Sequence, residues 1–361
     1  MLYRTYRPQS FDQIVGQQHV VKTLKGGLTS GRVGHAYLFT GPRGTGKTTM
    51  ARIFAKALNC LHRTKDGEPD TTCERCVAVQ TNRSLDLIEI DGASHGRVDE
   101  MRALQEGAVV AAPSGGYKVF LIDEVHMVSQ GGFNALLKIL EEPPAHVIFI
   151  LATTDPHKIP ATVLSRVQRF DFRKLTIQEI AGKLKEITQA EKAKVDDDAL
   201  LAIAHASDGA LRDAEVALTK LLTSFGRTEA ITADRANEIL GLIPRIYHSE
   251  FVGYLTSSNR MQALSFIQNL YDNGINLEHF TKDFLEYIRK VLVAKLNPAT
   301  LVSNGKILDS ESILMQQYAQ TIETPQLIKI LTTFASARNE MKYSPIPQLP
   351  LELAVIELTG I

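Results

Sequence analysis

Cysteine is scarce in this chain: Cys60, Cys73 and Cys76, all in one short stretch, are the only three in 361 residues. Three thiols so placed cannot make a disulfide framework, so a reducing compartment is expected. Long apolar runs are missing as well. The longest strongly apolar one, "VIFILA", has six residues, against the ~20 that span a bilayer. The opening "MLYRTYRPQS" has no apolar core and does not read as a signal peptide. A cytoplasmic protein with no membrane segment is the expectation. Net charge is also absent, since 40 basic residues cancel 40 acidic ones. The chain as a whole therefore has no electrostatic signature of nucleic-acid binding. The cancellation hides a local asymmetry: residues 1–60 hold nine Lys or Arg against the single acid Asp12. That segment is expected to face something anionic.

What is present describes a folded, multidomain protein. Apolar content of 44% and charged content of 22% are those of a globular chain, and its length predicts two or three domains. Strand-length apolar runs recur in the first half, at 35–40, 85–90, 117–122, 146–153 and 167–172. Most are apolar throughout rather than alternating, as a sheet covered on both faces requires. Helical stretches such as "TTMARIFAKALN" and "GGFNALLKILEE" lie between them, the second stopped by Pro143-Pro144. Strands alternating with helices predict a parallel α/β sheet. After about residue 174 the strand signal gives way to helical periodicity, which continues past Gly241. No internal repeat or low-complexity stretch is visible.

Two motifs carry chemistry. "GPRGTGKT" (41–48) fits G-x-x-x-x-G-K-[ST] between the run "HAYLFT" and a helix. Its glycines let loop amides turn toward phosphate oxygens at a helix N-terminus. Lys47 would reach the β- and γ-phosphates and the Thr48 hydroxyl would ligate Mg²⁺. "VFLIDE" (119–124) is an apolar strand ending in two acids, where Asp123 suits Mg²⁺ and Glu124 can polarise an attacking water. Together they predict an ATPase. "LATTDPHKIPATVLSR" (151–166) ends a strand in Thr153-Thr154 and leads to Arg166. A threonine there could bond the γ-phosphate or the water. Arg166 is either a surface charge or a residue that serves a neighbouring subunit.

With "IDEVHMVS", "FNALLKILEEPP", "LATTDPHKIP", "LSR" and "GALRDA", the chain resembles the gamma/tau family of bacterial DNA polymerase III clamp-loader subunits. The resemblance runs closely through the first two domains and more loosely through the third. It implies an AAA+ architecture: a nucleotide-binding α/β domain over 1–173 with an inserted zinc module at about 60–80, a helical lid over 174–241, and a helical collar over 242–361. It also implies roles. Gly41, Gly44, Thr45, Gly46, Lys47, Thr48 and Thr49 would hold ATP, with Val15 and Gly16 lining the base. Asp123 and Glu124 form the Walker B pair and Thr154 takes the sensor 1 position. Arg166 resembles an arginine finger for the adjacent subunit, and Arg212 a sensor 2 residue for its own. Partners implied are further copies of the chain, the delta and delta-prime subunits, the beta sliding clamp and primer–template DNA.

The cysteines now acquire a context. The family's zinc module carries four cysteines; Cys60, Cys73 and Cys76 match three of them, and Asp70 stands at the fourth. An aspartate oxygen is a legitimate though harder zinc ligand, His62 is a rival for the position, and a module that keeps its fold without metal is a third possibility. A redox role for Cys73-x-x-Cys76 is disfavoured, because the pair does not follow a strand of a redox fold. For DNA, the helix starts at "ASHGRVDEMR" and "MVSQGG" offer His95, Arg97, Arg102 and the amides near Ser129. Such contacts would be to phosphates, without sequence preference. Rival readings are a replication factor C-type small subunit, which the cysteine insert disfavours, and a branch-migration helicase, which should end in a winged helix. A non-catalytic scaffold is disfavoured by intact Lys47, Thr48, Asp123 and Glu124.

Overall fold

Five strands form where the apolar runs lie: β1 (Ala36–Thr40), β2 (Leu87–Asp91), β3 (Lys118–Asp123), β4 (Val147–Thr153) and β5 (Gln168–Asp171). All pair in parallel, in the order β2-β3-β4-β1-β5. The expected parallel α/β sheet is therefore present. In the computed structural model, residues 1–241, 243, 246–297 and 310–360 are described. Strands β1 and β4 are buried at every position and β3 at all but its last, which is why their sequences are apolar without alternation. The edge strand β5, "QRFD", is mostly exposed, and its polar composition follows from that position.

Alternate residues of the central strands enter two separate cores. Tyr37, Phe39, Leu121 and Ile150 pack on one face, while Leu38, Phe120, Ile122 and Phe149 pack on the other. The N-terminal helices α1 (Leu2–Thr5), α2 (Gln18–Ser30) and α3 (Lys47–Asn59) precede the short α4 (Glu74–Gln80). Apolar residues of α2 and α3 cover the first face. Helices α5 (Val98–Val109) and α6 (Gln130–Glu141) cover the second. The last residue of α6 precedes Glu142 and the Pro143-Pro144 pair, which stops it.

Past the single turn α7 (Ala161–Leu164) and β5, the chain turns helical with α8 (Ile177–Ala190), α9 (Asp197–Ala206) and α10 (Leu211–Phe225). Thr176 starts α8 with a capping box: its hydroxyl accepts from the Glu179 amide, and Glu179 accepts from the Thr176 amide. Glu179 also pairs with Arg173 at 2.6 Å.

The chain divides into two compact units, Met1–Ala236 and Asn237–Ile361. The second is helical, and the expected start of the third domain at Leu242 lies outside the described residues. Its core is aromatic: Phe251 meets Phe284 at 5.0 Å and Phe334 at 5.6 Å, both edge to face. Among the described residues no helix is long and apolar enough to cross a membrane.

Candidate functional site

A cleft of about 650 Å³ opens at the carboxyl ends of the central strands, where ligands of open α/β sheets bind. It is lined by the loop 43–49, by Asp123 and Glu124, by Ile14 and Val15, and by Leu175, Leu211, Arg212 and Glu215 of the helical segment. Six of the nine basic residues among the first sixty line it too: Arg4, Arg7, Arg43, Lys47, Arg52 and Lys56. The charge asymmetry read from the sequence is thus focused on one cavity.

The glycine loop has the backbone its motif requires. Gly46, the residue before α3, has φ +99, and Gly44 has φ +78, a region that side chains rarely enter. At Gly44 space is also limiting, because an added Cβ would sit 2.8 Å from the Ala210 methyl. Lys47 is 6% exposed, and its ammonium donates to the carbonyls of Gly41 at 2.7 Å and Pro42 at 2.8 Å. Burial pushes its pKa down, against the opposing charges of Glu124 and Asp123. Thr45 donates to Pro42 at 2.8 Å, and Thr49 accepts from Arg7 Nε at 3.1 Å. Burial, and then the charge of Arg52, bring Arg7 down to about 10.

The Thr48 hydroxyl donates to Asp123 Oδ2 at 2.7 Å. Two hard oxygen donors meeting beside a phosphate loop fit Mg²⁺, which takes one or two protein oxygens plus substrate phosphates and water. Glu124, next along, has φ +47, in the left-handed region. Its carboxylate is held there by two hydrogen bonds from Thr154, with His126 close by. Thr154 donates to Oε2 from its hydroxyl at 3.0 Å and its amide at 3.3 Å, and His126 Nδ1 stands 3.3 Å from the same oxygen. His126 Nδ1 in turn lies 3.0 Å from the Thr153 hydroxyl. Sequence reasoning names Glu124 and Thr154 separately and misses His126, two residues beyond Glu124 in "IDEVH". The signal for it is a titratable side chain one turn past a strand-end acid.

Arg212 lines the cleft and stacks over the Tyr3 ring at 5.0 Å. Arg166 does not line it. It pairs with Glu141 at 2.7 Å, donates to the Thr162 carbonyl at 2.7 Å, and borders a shallow hollow with His35 and Gln168. Gly16 is packed tightly by Leu175, 2.3 Å from where a Cβ would be.

Outside the cleft, Cys60, Asp70, Cys73 and Cys76 converge, with one ligand atom from each lying within 4.8 Å of all the others. Ligands on a tetrahedral zinc at ~2.3 Å stand about 3.8 Å apart, so three sulfurs and one carboxylate fit that ion. Asp70 accepts from the amides of Thr72 and Cys73, both at 3.1 Å, and its own amide donates to Cys60 Sγ at 3.3 Å. His62 is not part of the cluster. The DNA candidates sit at two adjoining helix starts. Ser129 caps α6 through the Gly132 amide at 3.2 Å, and its own amide donates to Gly96 at 3.0 Å. Arg97 begins α5, and Arg102 is exposed and 3.5 Å from Asp99. His95 is tied to Asp91 through its amide at 2.8 Å.

A phosphate loop opening a helix, a paired acid at a buried strand end and a helical segment roofing the same cleft define an AAA+ nucleotide-binding fold. The family described as DNA polymerase III, delta subunit matches residues 16–176; the clamp loader subunit ATPase lid domain matches 179–219; subunits gamma and tau domain III matches 231–361. The chain is 40% identical over 357 residues to DNA polymerase III subunit tau of Bacillus subtilis, covering 99% of this chain and 62% of that protein. It is 33% identical to DNA polymerase III subunit gamma of Buchnera aphidicola, covering 99% of this chain and 96% of that protein. Among solved structures it is similar to the Thermotoga maritima RuvB Holliday junction branch migration motor, at 20% identity and TM-score 0.48 over 69% of this chain and 79% of that one. The chain belongs to the DNA polymerase III gamma/tau family.

Glu215 was not foreseen. It is 6% exposed, lines the cleft, and burial pushes its carboxyl up to about 7, with Lys183 opposing. Its unfolded value is about 4.3, so the folded state holds a proton that the unfolded state has already lost. Stability from this group is present below the unfolded value and is lost as pH rises through about 7. Between pH 5 and pH 8 that loss is about 2–3 kcal/mol. Glu215→Gln should escape it, so urea unfolding should show the variant gaining on the parent by that amount over this range. A stability difference independent of pH would contradict the burial.

Proposed function

We propose that this chain is the ATP-hydrolysing motor subunit of the replicative clamp loader, acting in the cytoplasm. ATP and Mg²⁺ would be held by Gly41, Gly44, Thr45, Gly46, Lys47, Thr48, Thr49 and Asp123, with Val15 and Gly16 beside the base. The observation that carries this reading is that every residue expected to act on the chain's own nucleotide lines or adjoins one cleft, whereas Arg166 lies outside it. Bound Mg²⁺ would neutralise charge on the phosphates. Glu124 would polarise the attacking water, once released from Thr154 and His126. Thr154 would report the γ-phosphate, Arg212 would draw the lid onto it, and Arg166 would complete the site of an adjacent subunit. The division 1–173, 174–241 and 242–361 belongs to the same reading, with the last segment assembling copies of the chain with delta and delta-prime subunits. Opening the beta sliding clamp and closing it on primer–template DNA would be the outcome. His95, Arg97, Arg102 and the amides near Ser129 would touch phosphates there, although Asp99 and Glu100 in the same helical turn weaken that surface.

The test of Arg166 is complementation. Arg166→Ala should bind ATP with unchanged affinity while turnover falls by ~10³-fold or more, as loss of an arginine finger does. Lys47→Ala should fail at binding or phosphate positioning. Mixing the two in an assembled complex should restore turnover at interfaces that pair an intact Arg166 with an intact phosphate loop. Absence of recovery at every mixing ratio, with both variants assembled, would place Arg166 in its own chain's chemistry or in fold support.

Zinc is the further proposal, with Cys60, Asp70, Cys73 and Cys76 as ligands. A structural zinc supplies folding free energy to a segment too short to bury much apolar surface. Elemental analysis of chain purified without chelator should find close to one zinc, absent from Cys73→Ser. A chain free of zinc under those conditions would overturn the assignment; retention in Asp70→Ala with loss in His62→Ala would reassign the fourth ligand.

A further inference from the structure

Among the residues lining the nucleotide cleft, Glu215 is the one acid that neither faces the phosphate loop nor has a hydrogen-bond partner for its carboxyl among the described residues. It projects from α10 one turn beyond Arg212, is 6% exposed, and shares the cleft with Ile14, Val15 and Leu175. No Glu215 oxygen is among the fully enclosed polar atoms that lack a partner, so the carboxyl opens onto the cleft, where its hydrogen bonds are left to water or a ligand. A ligand that supplies a matched donor and acceptor there gains specificity.

We propose that the Glu215 carboxyl reads the base of the bound nucleotide, donating to N1 of adenine and accepting from its 6-amino group. This rests on the nucleotide-binding function proposed above and deepens it. A neutral carboxyl carries one donor and one acceptor side by side, the complement of adenine's outer edge. An ionised carboxylate accepts only, and would instead suit the N–H groups of guanine. The protonation state therefore selects the base. Burial holds Glu215 at about 7, and a triphosphate in the same cleft favours the neutral form further. Three helices pack against α10, bringing Tyr3 and Arg4 on α1, Lys183 on α8 and His205 on α9. Arg212 shares its helix, and Arg7 and Lys56 line the same cleft. Of these, Lys183 acts on the carboxyl, favouring ionisation, and burial outweighs it.

The experiment is competition binding of ATP, GTP and purine riboside triphosphate to the full chain with Mg²⁺ at pH 6 and pH 8. Purine riboside keeps N1 and lacks the 6-amino group, and titration of the phosphates cancels in the ratios. The fraction of neutral carboxyl falls from about nine-tenths to about one-tenth across this range. The ATP:GTP preference of the parent should therefore shrink by about tenfold or more. Glu215→Gln offers the same donor and acceptor without titrating, and should keep one ratio at both pH values. Glu215→Leu should bring the ATP:purine riboside ratio down about tenfold; if it does not fold, the near-isosteric Gln variant decides. Ratios in the variants equal to those of the parent at both pH values would overturn the proposal. A folded chain that binds none of the three would overturn instead the function on which it rests.

Discussion

The 2.7 Å hydrogen bond from Thr48 to Asp123 is the contact on which the rest of the site depends. It joins the helix that follows β1 to the end of β3, although β4 lies between those strands. The contact is possible only because β1, β4 and β3 end within a residue of one another, Thr40 opposite Thr153 and Ile122 opposite Leu151. A one-residue slip of any of the three would turn core side chains to the wrong face and carry either Thr48 or Asp123 out of reach. The two apolar cores on opposite faces of the sheet hold that register. Packing energy far from the cleft thereby fixes oxygen positions within it.

The middle strand adds a restraint on the reactive carboxylate. Thr153 and Thr154, at the end of β4, reach Glu124 directly and through His126. Glu124 sits in a left-handed backbone conformation that a non-glycine residue enters at some cost. A strained carboxylate held by Thr154 is a natural resting state, because any competitor for the Thr154 hydroxyl weakens its anchorage. The lid is set just as closely. Ala210 leaves no room for a Cβ on Gly44, and the Leu2 amide donates to Thr219 of α10 at 3.3 Å. Movement of the phosphate loop and movement of the lid are sterically linked through that contact, which gives the proposed nucleotide-driven reorganisation a physical path.

The sequence made the sheet legible, because three central strands buried on both faces must be apolar at nearly every position. It made the phosphate loop and the paired acids legible for a different reason: few chemistries besides phosphate and Mg²⁺ binding call for glycines, a lysine and strand-end carboxylates at that spacing. The convergence of Cys60, Asp70, Cys73 and Cys76 was readable from the matched positions of a known family rather than from geometry. The edge strands were legible as well, from the runs at 85–90 and 167–172, although "QRFD" in β5 is mostly polar. Among cleft residues contributed by distant segments, Val15 and Arg212 were legible only through the family resemblance, and Glu215 escaped. Nothing in "LRDAEVAL" says that Glu215 faces inward, since a glutamate on a helix is ordinarily solvated, and its burial exists only once α10 closes over the cleft. His126 escaped because its partners, Thr153 and Glu124, come from two different strands.

The central claim is that each cleft holds its own nucleotide but lacks one residue, which a neighbour supplies. Turnover per chain, measured across protein concentrations from fully dissociated to fully assembled, tests this most directly. ATP bound per chain should stay constant over the series while turnover per chain climbs steeply as subunits associate. Turnover per chain that is the same in the dissociated and assembled states would contradict it, because the site would then be complete within a single molecule.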